Sequence, residues 1–305
     1  MEKKKILLIG GPTGVGKTKL GIECAKVFGG EIISCDCMQV YKKLDIGTAK
    51  ASTSEQKEAK HHLIDIKEPT ESYSCAEFKI DATKIIDKLT SEKKLPIIVG
   101  GTGLYIQSLL FPYNFSSSIR NEEIREKYRK LADMYGNQYV FDILKEKDNK
   151  ACEKLHPNDL KRVIRALEIF DTTGKPKIES EQEVESEYDY KFIFLNTERE
   201  VLYERINSRV DKMFEMGLLE EVENVVKSYN LTRESQSMQG IGYREFFDYF
   251  ENKITFDELK EAIKKDSRNY AKRQITWFRH RKNVNEYCIE NINKILDDVK
   301  CWLKN

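Results

Sequence analysis

The residues best placed to do chemistry stand near the start of the chain, in the stretch GPTGVGKT, residues 11–18. Gly11, Gly16, Lys17 and Thr18 fit the pattern G-x-x-x-x-G-K-[ST], with Pro12, Thr13, Gly14 and Val15 between them. A loop of this kind turns backbone N–H groups, a lysine and a helix N-terminus towards phosphate oxygens. Lys17 would bridge phosphate oxygens, the Thr18 hydroxyl would ligate Mg²⁺, and Thr13 is free to donate from inside the loop. The motif recognises a pyrophosphate-like anion and leaves open whether that anion belongs to a nucleotide triphosphate.

A second candidate is SCDCMQVYKKLDIGTAK, residues 34–50. Asp36 closes an apolar run, which puts its carboxylate at the edge of a sheet where α/β proteins bind ligands; it could act as a general base or hold Mg²⁺. The neighbouring Cys35 and Cys37, with His61 and His62, do not have a recognised zinc spacing, and adjacent strand histidines point to opposite faces. A third candidate, VGGTGLY at 99–105, has glycines that let the backbone come close to a ligand, although a tight strand-to-helix turn reads equally well. Arg205 and Arg209 lie four residues apart, so one of them could reach a phosphate. Lys161, Arg162 and Arg165 fall off the apolar face of a helical stretch.

The elements that position these residues follow from the apolar pattern. KILLIG, EIISCD, HHLIDI, LPIIVGG and YKFIFLN are short continuous apolar runs, interleaved with helical stretches at 17–28 and 77–89. Continuous rather than alternating runs indicate a parallel sheet covered on both faces. The expected fold is therefore α/β, a P-loop parallel sheet flanked by helices. Between residues 113 and 188 the strand rhythm disappears, and helices are expected at 121–147 and 158–170, the second capped by Asn158. This gives a catalytic core of residues 1–112 and 189–305 with a helical insertion domain at 113–188. Further helices are expected at 200–216, 218–229, 243–250 and 256–277.

Composition narrows the setting. The chain has 305 residues, 34% of them charged, and a formal net charge of +1, so charge matters through its distribution. Residues 179–187 carry five glutamates, whereas 264–282 carry eight Lys/Arg against one Asp, mixed with Tyr270, Trp277 and Phe278. That mixture suits a polyanion surface, although aromatic residues at helical spacing also build cores. Seven cysteines without a C-x-x-C pair argue for a reducing compartment. No stretch approaches the roughly 18–20 apolar residues of a membrane span. The expectation is a cytoplasmic protein with no membrane partner. Local reasoning leaves two activities open: a P-loop kinase or NTPase of small molecules, and a transferase that uses the loop on a diphosphate leaving group beside a basic RNA-binding surface.

Taken together and in order, the eight blocks GPTGVGKT (11–18), DCMQVYKKLDIGTAK (36–50), HHLIDI (61–66), VGGTGLY (99–105), HPNDLKRVIRALE (156–168), RINSRVDKMFEMGLLEEV (205–222), MQGIGYRE (238–245) and YAKRQITWFR (270–279) closely resemble the tRNA dimethylallyltransferase family, essentially over the whole chain. The resemblance implies transfer of the dimethylallyl group from dimethylallyl diphosphate to N6 of adenosine 37, beside the anticodon of tRNAs that read codons beginning with U. It implies Asp36 as general base and Thr13, Lys17 and Arg209 as further catalytic residues. Residues 11–18 would hold the diphosphate, with Mg²⁺ on Thr18. Asp36, Cys37, Met38, Gln39, Thr102, Arg125, Lys161, Arg162, Val163, Ile164 and Arg165 would touch the tRNA. The insertion would grip the anticodon stem-loop, the 270–279 helix would add phosphate contacts, and the protein would act as a monomer. The nearest rival within this chemistry is an adenylate isopentenyltransferase acting on AMP or ATP. Cys37 stands where the family usually has Ser, Lys161 where Gln is common and Ala51 where Pro is frequent, and the cysteines offer no zinc-finger spacing.

Overall fold

The computed structural model describes residues 3–111, 121–174, 185–281 and 283–304. The chain divides into two compact units, Met1–Phe111 with Ser186–Asn305, and Pro112–Glu185. The first unit begins with β1 (Lys4–Gly10), α1 (Lys17–Phe28), β2 (Gly30–Cys35), α2 (Thr53–Glu58), β3 (His61–His62), α3 (Cys75–Ser91), β4 (Leu95–Gly100) and α4 (Gly103–Leu110). The second unit holds α5 (Glu122–Tyr135), α6 (Asn137–Lys147), α7 (Asn149–Cys152) and α8 (Leu160–Thr173). The first unit resumes with β5 (Tyr188–Asn196), α9 (Arg199–Glu215), α10 (Leu218–Tyr229), α11 (Phe246–Phe250), α12 (Phe256–Arg279), β6 (Val284–Cys288) and α13 (Ile292–Lys304).

The strands form one sheet in the order β3-β2-β4-β1-β5-β6, with every pairing parallel. The α/β class and the flanked parallel sheet expected from the apolar runs are both present. Their continuity reflects burial on both faces: Ile6 and Leu8 enter one core cluster, Leu7 and Ile9 the other. The HHLIDI run contributes only a two-residue strand. The sixth strand, VNEYC, was not expected, because an edge strand with two exposed positions lacks the apolar continuity that marked the others.

Local chemistry explains the helix boundaries. Ser74 and Thr255 close capping boxes with Glu77 and Glu258, satisfying the first amides of α3 and α12. The single helix expected at 121–147 is two, broken at Gly136, whose φ of 85° a side chain would resist. The cap of α8 is Asp159 rather than Asn158, and the helix runs on to a left-handed Gly174. The second unit packs Tyr128, Val140, Leu144, Val163 and Leu167 into a core of its own. The acidic residues 179–184 and Lys282 lie outside the described residues.

Helix α12 anchors the first unit. Phe278, fully buried, stacks on Phe194 with ring centroids 5.1 Å apart and meets Phe192 edge-on at 5.9 Å. A Cβ on Gly10 would lie 2.4 Å from the Phe278 ring, so strand and helix touch without an intervening side chain. Truncating Phe278→Ala should therefore cost about 3–5 kcal/mol of stability, read as a drop in the urea midpoint at unchanged slope. A cost below about 1 kcal/mol would show that the helix does not depend on this contact.

Candidate active site

The loop of residues 11–16 links β1 to α1 and lines a cleft of about 1180 Å³, large enough for a diphosphate together with a purine base. Gly16 caps α1 at φ 100° with no side-chain hydrogen bond, in contrast to the boxed caps of α3 and α12. The first amides of α1 thus have no side chain of their own to satisfy them, the condition under which a helix N-terminus takes an anion. Lys17 Nζ donates to the Pro12 carbonyl at 2.8 Å, and Arg209 Nη1, from α9, donates to Thr13 Oγ1 at 3.3 Å. Burial, and then the neighbouring Arg209 charge, lower the Lys17 ammonium to about 8, with Asp36 acting in the opposite direction. Burial lowers Arg209 as well, and Asp36 again opposes it. Thr18 lines the cleft, and its hydroxyl makes no hydrogen bond among the described residues. Arg205 also borders the cleft but reaches outward to Glu290 at 3.1 Å.

Asp36 follows β2 on the same cleft. Its Oδ1 accepts from Met38 N–H at 2.9 Å and Gln39 N–H at 3.4 Å, while Oδ2 has no hydrogen bond among the described residues. One oxygen fixes the carboxylate and the other is left for a ligand. Cys37 N–H donates to Thr102 Oγ1 at 3.3 Å, and Thr102 N–H donates back to the Cys35 carbonyl at 3.3 Å, which stitches the turns after β2 and β4 together. Burial pushes the Cys37 thiol up to about 12. Gln39 accepts from Ser34 Oγ at 3.0 Å and donates to the Thr48 carbonyl at 3.3 Å. Met38 packs where a Cβ on Gly240 would stand, 2.7 Å from its methyl carbon. His61 bonds the Ala59 carbonyl and His62 bonds Glu31, so the paired histidines do not converge.

The structure thus gathers Thr13, Lys17, Thr18, Asp36, Gln39 and Arg209 around one cleft, with Cys37, Met38 and Thr102 beside Asp36. In the second unit, Lys161 and Arg162 are exposed on α8. The side chains of Val163 and Ile164 turn into that unit's core, at 0% and 6% exposure. Arg125 makes a two-pronged pair with the fully buried Glu168, at 2.9 Å for both Nε and Nη2, and Arg165 bonds the same carboxylate at 2.5 Å. These two arginines are held inside the unit first and offer only their partly exposed edges. Gly100 and Gly101 of the 99–105 turn line the cleft with their backbone, while Gly103 faces protein: a Cβ on it would lie 2.4 Å from Trp277.

Three residues support the cleft through contacts that the sequence does not show. Glu221 on α10 accepts from the N–H groups of Asp45, Ile46 and Gly47 at 2.9, 2.8 and 3.1 Å and from the Tyr243 hydroxyl at 2.7 Å. It pins the loop that carries Thr48 and Lys50 along the cleft. Lys50 is itself tied to Asp45, Asp65 and the Tyr41 carbonyl. Tyr270 on α12 lines the cleft, and burial together with the Asp36 charge raises its hydroxyl. Glu221 and Tyr270 act on segments distant in sequence, a relation that no local pattern marks, whereas Lys50 is tied to residues near it in the chain. The distance between GIGYRE and DIGTAK in the sequence hides the fact that Tyr243 packs against Gly47.

Comparison with known proteins places the chain among similar sequences and folds. Residues 39–281 match the family model described as IPP transferase. A curated tRNA dimethylallyltransferase of Bacillus cereus (strain ATCC 14579) is 50% identical over 287 residues, covering 93% of this chain and 90% of that protein. The crystal structure of a full-length tRNA isopentenylpyrophosphate transferase from Bacillus halodurans superposes with a TM-score of 0.74 at 41% identity, covering 99% of this chain and 97% of that one. A eukaryotic dimethylallyltransferase acting on tRNA superposes with a TM-score of 0.76 at 34% identity, over 90% of this chain and 70% of that one.

The cleft's electrostatics are directly testable. An anion seated against Lys17 stabilises its charged form, so the ammonium that burial lowers to about 8 should move upward when pyrophosphate is added. A ¹³C NMR titration of the lysine Cε resonances, with Lys17 assigned by its loss in Lys17→Arg, reads both midpoints. A midpoint at the ordinary 10.5 without pyrophosphate, or one that does not rise with it, would contradict the site as described.

Proposed function

The chain belongs to the IPP transferase family, and on that premise we propose that it transfers the dimethylallyl group of dimethylallyl diphosphate to N6 of adenosine 37 in tRNAs that read codons beginning with U. The observation that carries this reading is the opposition within one cleft of an anion cradle, built by Thr13, Lys17, Arg209 and the uncapped start of α1, and a carboxylate, Asp36, with one oxygen unengaged.

In this reading the adenine amine forms a bond to C1 of the allyl group while the C1–O bond to the diphosphate breaks. The bonding pair leaves with the diphosphate, and the amine's proton passes to Asp36. An exocyclic amine is a poor nucleophile, so a carboxylate positioned to take the proton favours attack. Charge grows on the leaving oxygens, where Lys17, Arg209 and the amides of residues 14–18 stabilise it and where the Thr13 hydroxyl lies near the bridging oxygen. A hard cation prefers oxygen donors, and the unengaged Thr18 hydroxyl beside the cradle fits that chemistry. Bound there, Mg²⁺ would neutralise diphosphate charge.

A base in an anticodon loop must leave its stack to enter a cleft. Residues 36–39 and Thr102 would receive it. Lys161 and Arg162, with the exposed edges of Arg125 and Arg165, would hold the anticodon stem-loop. On α12, Lys265, Lys272, Arg273 and Arg279 are exposed, and among the described residues Lys265, Lys272 and Arg273 have no ion pair, which suits phosphate contacts. The protein would act as a cytoplasmic monomer; no helix among the described residues is long and apolar enough to cross a membrane.

The test offers labelled dimethylallyl diphosphate with tRNA and with AMP in separate reactions. Label should enter tRNA alone, at the adenosine after the anticodon. Transfer to AMP alone would identify an adenylate isopentenyltransferase, and transfer to neither would remove prenyl chemistry altogether. Asp36→Asn should lower turnover by roughly 10²–10⁴-fold with a far smaller effect on tRNA affinity, to which it is one contact among many. Near-normal turnover would disprove its role as base. Binding of tRNA should weaken linearly in log–log form as salt rises.

A further inference from the structure

Gln274, on α12, has both ends of its buried amide committed. Its Oε1 accepts from Thr13 N–H at 2.9 Å, and its Nε2 donates to the Gly101 carbonyl at 3.0 Å. The residue is 5% exposed, and Ala271 and Phe278, a turn before and after it, are fully buried, so the helix cannot shift without disturbing the core. The fit is tight: a Cβ on Gly101 would lie 2.1 Å from Gln274 Nε2, so any other residue at position 101 would displace the amide.

The two backbone groups it joins belong to opposite halves of the cleft. Thr13 sits in the anion cradle and receives Arg209 on its hydroxyl. Gly101 precedes Thr102, which holds the Cys37 N–H beside Asp36. One planar amide therefore spans the leaving-group side and the nucleophile side. Its Oε1 keeps the Thr13 N–H turned inward, which sets the direction of the Thr13 hydroxyl and of the amides that follow.

We propose that Gln274 is a positioning residue of the transfer reaction, fixing the distance between the diphosphate cradle and the Asp36 turn through its paired bonds to Thr13 and Gly101. This rests on the function proposed above, because only a reaction between two substrates in one cleft needs that distance fixed. In-line displacement is sensitive to such placement, and a misplacement of about 1 Å can cost on the order of 10²-fold in rate.

The amide's two polarities supply the test. A protonated glutamic acid matches them: its carbonyl can accept from Thr13 N–H and its O–H can donate to the Gly101 carbonyl. The ionised form can still accept, but it faces the Gly101 carbonyl with a second acceptor. In Gln274→Glu the kcat ratio to wild type should therefore be near one at low pH and fall tenfold or more as pH rises through the new carboxyl's pKa, with a smaller change in KM. Lys17, Arg209, Asp36 and Tyr270 face the same cleft in both proteins, so the ratio to wild type reports what the substitution at 274 adds to the pH dependence they share. Gln274→Met, which keeps the length but has neither polarity, should lose kcat about tenfold or more at every pH. Melting temperatures recorded alongside separate this loss from unfolding, and should Gln274→Met fail to fold, the Gln274→Glu profile decides alone.

A pH-independent Gln274→Glu ratio, or a Gln274→Met kcat within about twofold of wild type, would overturn the proposal while an active wild type left the function standing. If the wild type transferred no prenyl group, the function would fail separately. Pyrophosphate affinity would then decide on Gln274: weakening with pH in Gln274→Glu relative to wild type supports the strut, and a flat ratio overturns it.

Discussion

The site depends on a helix N-terminus that has no side-chain cap, set beside two cations, Lys17 and Arg209, and a carboxylate, Asp36. Elsewhere in the chain Ser52, Ser74 and Thr255 satisfy helix starts with full capping boxes. At α1 the cap is Gly16, and no side chain fills that role. Unmet amides are costly when buried and useful when a ligand arrives. The surroundings restrain this local instability: Lys17 rests on Pro12, Arg209 rests on Thr13, and the desolvation of two cations is partly offset by Asp36 across the cleft. Without an anion the site holds two cations against each other, which makes phosphate its natural complement.

This constraint accounts for the support built behind the cleft. Glu221 holds three successive amides of the 45–47 loop, Thr102 links the turns after β2 and β4, and the α12 helix presses Trp277 and Phe278 against Gly103 and Gly10. A sheet edge made of loops would drift. These ties place the loops on rigid elements, so the functional groups keep their spacing when the cleft is empty. The second unit follows the same logic on a smaller scale. A buried carboxylate, Glu168, fixes two arginines by drawing their donors inward.

Much of this was legible from residue order. Continuous apolar runs identify the parallel strands because both faces of the sheet are covered, and the phosphate-loop pattern falls between a strand and a helix. The eight ordered blocks point to the family that the comparisons bear out. The two-residue β3 and the polar edge strand β6 were harder, since edge strands owe their existence to a neighbour and carry little pattern of their own. The break at Gly136 shows how one positive-φ residue outweighs good helical periodicity on both sides. Gln274 and Glu221 were invisible for a different reason: each acts on backbone atoms more than 170 residues away, and a backbone group has no identity in a sequence. The basic aromatic stretch at 270–279 divides by face, with Phe278 and Gln274 inside and Lys272, Arg273 and Arg279 outside, a division that only the packed helix reveals.

The central claim is that the phosphate loop serves a leaving group and hydrolyses no nucleotide. The most direct measurement is stoichiometric. Purified protein is supplied with Mg²⁺, dimethylallyl diphosphate and tRNA, with and without ATP, and both phosphate products are followed together with modified adenosine. The account predicts one pyrophosphate released for each adenosine modified, no orthophosphate, and a rate indifferent to ATP. Modification that required ATP, or that released orthophosphate in step with product, would contradict it.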